Sequence, residues 1–141
     1  MKTNTRPKES LKKAGEGDSV MNKKYKIVIP GRPIPKARPR FTKSGKKYLA
    51  YTAEATRQFE KYVGYKALDT FRGKPLTGEI AMDVKLYFKD RRLPDIDNCL
   101  KSLLDGLQGN AFENDRQVRR ISVERFQDKN ERAEIEIEEI N

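Results

Sequence analysis

The densest group of chemically capable residues is the run Pro94-Asp95-Ile96-Asp97-Asn98-Cys99-Leu100-Lys101, followed by Asp105 and then by Glu113-Asn114-Asp115. Carboxylates at i and i+2 point the same way only on an extended backbone. Pro94 fixes its own φ and biases Leu93 towards extended conformations, so it favours a strand-like approach to the helix behind it. Within that helix, roughly 100° per residue sets Asp97, Lys101 and Asp105 at offsets of about 40° along one flank. Asn98 joins that side at i, i+3 to Lys101. Asp115 stands just before a later strand. If that strand lies beside the preceding one, Asp115 approaches Asp95 and Asp97 at one end of the sheet.

Three converging carboxylates repel one another strongly unless a cation neutralises them. An all-oxygen site prefers a hard ion, so Mg²⁺ is the natural occupant and Mn²⁺ a substitute. Such an ion polarises a phosphodiester and helps generate hydroxide for in-line attack. Lys101, one turn from Asp97, would stabilise negative charge developing on the phosphate or orient the attacking water; equally, it would lower the pKa of its aspartate neighbours. A plainer account stands beside this one. Asp ahead of a helix is a favoured N-cap, and Asp97–Lys101 is an ordinary i, i+4 ion pair worth about 0.3–0.5 kcal/mol. Capping employs one aspartate, however, and leaves the combination of Asp95, Asp97 and Asp115 unexplained. Asp105 reads more readily as a solvated helix-face residue than as a ligand, and Cys99 as a small, semi-buried apolar residue.

Composition sets the context. The chain has 141 residues, 35% hydrophobic and 37% charged, with 31 Lys plus Arg against 21 Asp plus Glu, a net charge of +10. That balance favours a polyanionic partner, most commonly nucleic acid. There is no histidine and a single cysteine. Nucleophile–histidine systems, histidine general bases, Cys/His zinc sites and internal disulfides are therefore excluded, which fits a reducing cytoplasm. No apolar run approaches a membrane span and no hydrophobic signal region follows Met1.

The elements that must position these residues are legible from periodicity. Residues 1–20 carry five basic and three acidic residues and almost no large apolar ones, so they read as a disordered basic tail ahead of a domain at 21–141. Residues 25–29 read as a strand, 31–51 as a long loop, and 52–69 as a helix weakened by Gly64. The alternation at 79–88 is the clearest strand. Leu100, Leu103, Leu104 and Leu107 stripe a second helix that Gly109 ends, and two more strands follow at 118–126 and 133–139. The order β-α-β-α-β-β predicts an α+β fold, a mixed sheet with two helices packed on it. Within the long loop, three prolines and Gly45 stand among seven basic residues. Arg32, Lys36, Arg38 and Arg40 there, with Arg91 and Arg92 ahead of the aspartates, are the expected phosphate contacts. Phe41, Tyr48 or Tyr51 would stack on unpaired bases. The alternative for this stretch is a solvated proline-rich loop with its aromatics buried.

Taken together, Gly31-Arg32-Pro33-Ile34-Pro35-Lys36-Ala37-Arg38-Pro39-Arg40, then Pro94-Asp95-Ile96-Asp97-Asn98 with Lys101 and Leu104-Asp105-Gly106-Leu107, then Asn114-Asp115-Arg116-Gln117-Val118 closely resemble the RusA-type Holliday junction resolvases. The similarity runs over about residues 25–126 in the family's order. The D-x-D-N-x-x-K segment with a downstream D-x-Q-V is specific, whereas the proline-rich arm alone is weak. The resemblance implies a Mg²⁺-dependent endonuclease acting as a homodimer on four-way DNA junctions, with no nucleotide cofactor and no membrane. By that match, Asp95, Asp97 and Asp115 correspond to the metal-binding aspartates and Lys101 to the catalytic lysine, with Asn98, Asp105 and Asn114 as supporting candidates. Asn114 stands where family members often carry a second acid, which leaves the pocket one charge poorer. Two identical sites in a C2 dimer suit paired, symmetrical nicks. The competing readings are a non-catalytic nucleic-acid-binding module, or a metal nuclease for flaps and other branched DNA.

Overall fold

The computed structural model describes residues 23–37, 39–41, 43–45, 47–49 and 52–140. The tail expected at 1–20 lies outside the described residues. The elements are β1 (Lys24–Pro30), β2 (Pro39–Phe41), β3 (Lys47–Leu49), α1 (Ala53–Phe71), β4 (Ile80–Phe88), α2 (Ile96–Leu107), a 3₁₀ turn (Asp115–Gln117), β5 (Val118–Gln127) and β6 (Arg132–Glu139). Four strands form one sheet in the order β1-β6-β4-β5, with only the β4–β5 pair parallel. The fold is α+β, a mixed sheet with two helices, as the periodicity predicts.

One feature of the loop at 31–51 departs from expectation. β2 and β3 pair antiparallel as a small hairpin, Arg40 opposite Tyr48, and Gly45 adopts φ +86° at its turn. Strands of three residues are too short to show alternation, and Pro39 begins its strand, where no donor is demanded of it.

Register turns the alternation into core rows. Ile27, Ile135 and Val84 lie side by side with Val123 of β5, and Tyr25, Ile137 and Met82 with Ile121. Helix α1 lays Phe59, Val63, Ala67 and Phe71 into this core, and α2 adds Cys99, Leu103 and Leu107. Thr52 caps α1 by accepting the Ala55 N–H at 2.9 Å. Gly64 and Gly106 have a packing reason: a Cβ on Gly106 would lie 2.8 Å from the Glu60 carbonyl oxygen and from Val63 Cβ. The two helices approach too closely there for any side chain. The opposite sheet face is polar, with Lys26, Asp83 and Lys85 exposed. On that face Arg132 lies 3.7 Å over the Tyr87 ring, which stacks on Phe126.

The parallel β4–β5 pair decides where the chemistry sits. Asp95 follows the end of β4, whereas Asp115 precedes the start of β5, and Ile80 is in register with Val118. The chain leaves one end of the sheet, descends through α2, and re-enters at the other.

Candidate active site

The Asp95–Lys101 segment forms the mouth of α2. Asp95 sits at the N-cap position with φ −63° and ψ 136°, the extended backbone usual at an N-cap, and its side chain makes no capping hydrogen bond. Asp97 lies in the first turn, exposed, and its Oδ1 accepts the Asn98 N–H at 3.0 Å. Lys101 is exposed one turn further on. Asn98 is only 3% exposed, and its Oδ1 has no hydrogen-bond partner. Cys99 lies beneath, 1% exposed. Burial pushes its thiol up to about 12, and Arg32, Arg125, Asp95 and Asp97 are the charges nearest in effect. Cys99 is therefore inert. Thiol reagents at neutral pH should label it at a rate set by unfolding, far more slowly in the native protein than in the denatured chain.

Asp115 does not join this group within one chain. The rise of about 3.3 Å per residue separates Val118 from Arg125 by about 23 Å. Arg125 is the β5 residue that reaches the aspartate end, its Nη1 donating to the Pro94 carbonyl oxygen at 3.4 Å. No group of three Asp, Glu, Cys or His side chains able to hold a metal forms among the described residues. The expectation that neighbouring strands would gather all three aspartates holds only for antiparallel neighbours. This pair is parallel, so the expectation of one shared pocket within a single chain is corrected.

The turn that holds Asp115 is firmly built. Asn114 caps it, its Oδ1 accepting the Arg116 N–H at 2.9 Å, so Asn114 has a structural use at the place where an acid would otherwise stand. Gln117 is saturated: Oε1 accepts the Glu113 and Asn114 N–H groups at 2.8 Å each, and Nε2 donates to the carbonyls of Leu76 at 2.8 Å and Gly78 at 2.9 Å. One carboxamide thus latches the Asp115 turn to the segment entering β4.

The basic residues divide. Arg32 and Lys36, expected to face DNA, are engaged with the protein's own groups. Arg32 pairs with Glu131 at 2.6 Å, and Lys36 bridges Glu60 and Asp105 at 2.6 Å each. Asp105 is accordingly the partner of Lys36 and not merely a solvated helix-face residue. Arg91 and Arg92 are exposed at the aspartate end, Arg92 beside Asp90 at 3.3 Å. Arg38 and Tyr51 lie outside the described residues, and Arg40, Phe41 and Tyr48 are described by backbone pairing alone. Sequence reasoning passed over Arg125. Its signal was present in the alternation, because Arg125 falls on the same face of the strand as Ile121 and Val123.

The molecule is a strongly basic α+β domain whose chemistry runs on oxygen and nitrogen groups without histidine or a reactive thiol, as suits a nucleic-acid hydrolase. Residues 30–138 match the family Endodeoxyribonuclease RusA, and the chain belongs to that family. The chain is also 26% identical over 138 residues to "Uncharacterized protein YqaN" of Bacillus subtilis (strain 168), which covers 82% of this chain and 96% of that one. The family's nucleases act on branched junction DNA and generally depend on a divalent metal. The residues present fit such an ion: Asp95 and Asp97 supply hard oxygen donors, and the buried Asn98 Oδ1 is an oxygen without a donor. No helix among the described residues is long and apolar enough to cross a membrane.

Proposed function

We propose that this protein is a Mg²⁺-dependent endodeoxyribonuclease, with Mn²⁺ as a substitute ion, that resolves four-way DNA junctions by paired symmetrical nicks. The observation that carries this reading is the Asp95–Lys101 turn, exposed at a basic end of the sheet, in a chain of the RusA family. Asp95 and Asp97 would hold the ion, which when bound supplies Lewis-acid polarisation of the scissile phosphate and an acidified water. Lys101 sits one turn from Asp97, where an ammonium can meet the negative charge that develops on the phosphate oxygens. Arg91, Arg92 and Arg125 draw the backbone in.

The separation of Asp115 supports a homodimer in which each site is shared. Among the described residues β5 is an edge strand with one unpaired side. Beside it, Val118, Ile121 and Val123 are half-buried, as are Leu100 and Leu104 of α2, and Leu93 is 42% exposed. A two-fold axis across that edge reverses the direction of the second β5, because isologous pairing of a strand with itself is antiparallel. The partner subunit's Asp115 would then arrive at the Asp95 and Asp97 end of this chain. The apolar strip would be covered by the same contact.

The test is cleavage of a synthetic four-way junction, a flap and a duplex at one salt concentration, with and without Mg²⁺. The expected result is symmetrical cutting of the junction only, abolished by chelation and restored by Mg²⁺ or Mn²⁺. Preferred cutting of the flap assigns the site to another branched substrate. Absence of metal-dependent cleavage on all three overturns the enzymatic reading.

A further inference from the structure

We propose that Arg32 acts inward, as a positioning residue that holds the turn bearing Asp95 and Asp97. The inference rests on the reading of those aspartates as the acidic half of the active site. In sequence, Arg32 belongs to a proline-rich basic stretch suited to a phosphate backbone. In the fold its guanidinium is occupied on several sides. Nη1 donates to Glu131 Oε2 at 2.6 Å and lies 3.4 Å from Asp90 Oδ1. Nη2 donates to the Arg92 carbonyl oxygen, and the Cζ atom stands 5.0 Å from the centroid of Phe88.

These partners belong to the three chain segments that meet at this end of the sheet. Gly31 and Arg32 follow β1, Asp90 and Arg92 follow β4, and Glu131 precedes β6. Glu131 also accepts the Lys89 N–H at 3.1 Å, and Asp90 the Arg92 N–H at 3.1 Å. The connection from β4 to α2 has little apolar anchorage of its own, since Leu93 is 42% exposed. Its course therefore depends on the hydrogen bonds that stitch residues 89–92 to Arg32 and Glu131.

A second anchor closes the clip. The Lys36 N–H donates to the Asn98 carbonyl oxygen at 3.0 Å, in the first turn of α2. The Ser102 hydroxyl donates to the Ile34 carbonyl at 2.6 Å, and the Thr56 hydroxyl to the Pro35 carbonyl at 3.0 Å. Residues 31–36 thus form a strap that grips the acidic turn upstream at Arg92 and downstream at Asn98. Pro33 and Pro35, both buried, restrict the backbone between the two grips and so preset their spacing. A turn held at both ends can present Asp95 and Asp97 in one geometry, and misplacement by about 1 Å is enough to cost on the order of a hundredfold in rate.

The experiment uses the full chain with Arg32→Lys, Arg32→Ala and Glu131→Gln, beside Asp97→Asn as a reference. Measured quantities are kcat at saturating junction, junction Kd, the salt dependence of binding, thermal midpoint, and amide hydrogen exchange of residues 92–98. Arg32→Lys keeps the charge but loses the planar fork. The expected result for Arg32→Lys and for Glu131→Gln is a kcat lowered ten- to a hundredfold, with Kd and salt slope for Arg32→Lys unchanged. The backbone amides of residues 92, 93 and 95–98 should exchange faster while those of β4 and β6 do not. Glu131→Gln is the sharper arm, because removing an acid from a phosphate-binding surface would tighten binding and leave kcat alone. Should Arg32→Lys fail to fold, Glu131→Gln decides.

The proposal is overturned if both folded variants keep kcat within about twofold. It is overturned also if Arg32→Ala lowers the salt slope by about one with kcat unchanged, the mark of a phosphate contact. If Asp97→Asn cleaves at the wild-type rate, it is the assignment of the acidic site that fails. A dead Asp97→Asn beside a fully active Arg32→Lys and Glu131→Gln overturns the positioning role alone.

Discussion

Asp97→Asn should abolish junction cleavage, by about a thousandfold or more, and leave junction binding intact or tighter. The substitution is nearly isosteric, and the asparagine side-chain oxygen can still accept the Asn98 N–H that Asp97 Oδ1 accepts at 3.0 Å. The first turn of α2 therefore keeps its geometry. What is lost is one of the two formal charges that this chain itself would supply to the divalent ion at this end of the sheet. An ion in that role contributes several kcal/mol of transition-state stabilisation, and each 1.36 kcal/mol or so is a factor of ten in rate. Binding responds in the opposite sense, because a chain of net charge +10 loses a repulsive group facing the phosphates. The check is single-turnover cleavage alongside a binding isotherm at fixed salt. A variant that cuts at the wild-type rate removes Asp97 from the chemistry, and one that loses binding and cutting together makes it a folding residue.

The second large effect is complementation between two dead proteins. If each site joins Asp95 and Asp97 of one copy to Asp115 of the other, then Asp97→Asn and Asp115→Asn are each inactive as homodimers. Co-expressed, they should regain activity. One site of the mixed dimer then carries both substitutions and the other carries neither. Random assortment makes about half of the dimers mixed, each with one working site, so about a quarter of wild-type sites return. The product should be a singly nicked junction instead of two resolved duplexes, since paired nicks need two working sites. With self-contained sites the mixed dimer has a defect in both, and co-expression yields nothing. Denaturing gels of a junction labelled on each strand in turn distinguish these outcomes, with a gain from zero as the signal.

The acidic site was partly legible before any fold was known. Extended backbone ahead of α2 follows from Pro94, and the placement of Asp97 and Lys101 on one flank of the helix follows from helical spacing. The capping alternative for Asp95 required coordinates, because a carboxylate at the N-cap position either accepts a backbone N–H or does not, and here it makes no such bond. The basic strap was legible in composition and misleading in direction. Arg32 and Lys36 read as outward cations because their carboxylate partners, Glu131, Glu60 and Asp105, are remote in sequence, by 24 to 99 residues. Gln117 and Arg125 left faint marks: a glutamine in a family motif and an arginine in alternation with Ile121 and Val123.

Sequence alone determined the class of fold, the order of its main elements, the oxygen-only chemistry and the family, since alternation, helical stripes and an absence of histidine are local or countable. Tertiary structure alone decided that β4 and β5 run in the same direction, and hence that Asp115 lies at the far end of the sheet from Asp95 and Asp97. Strand direction is set by which hydrophobic rows can be buried together after the chain has crossed over. That is a property of distant segments in contact, which no short window of residues encodes.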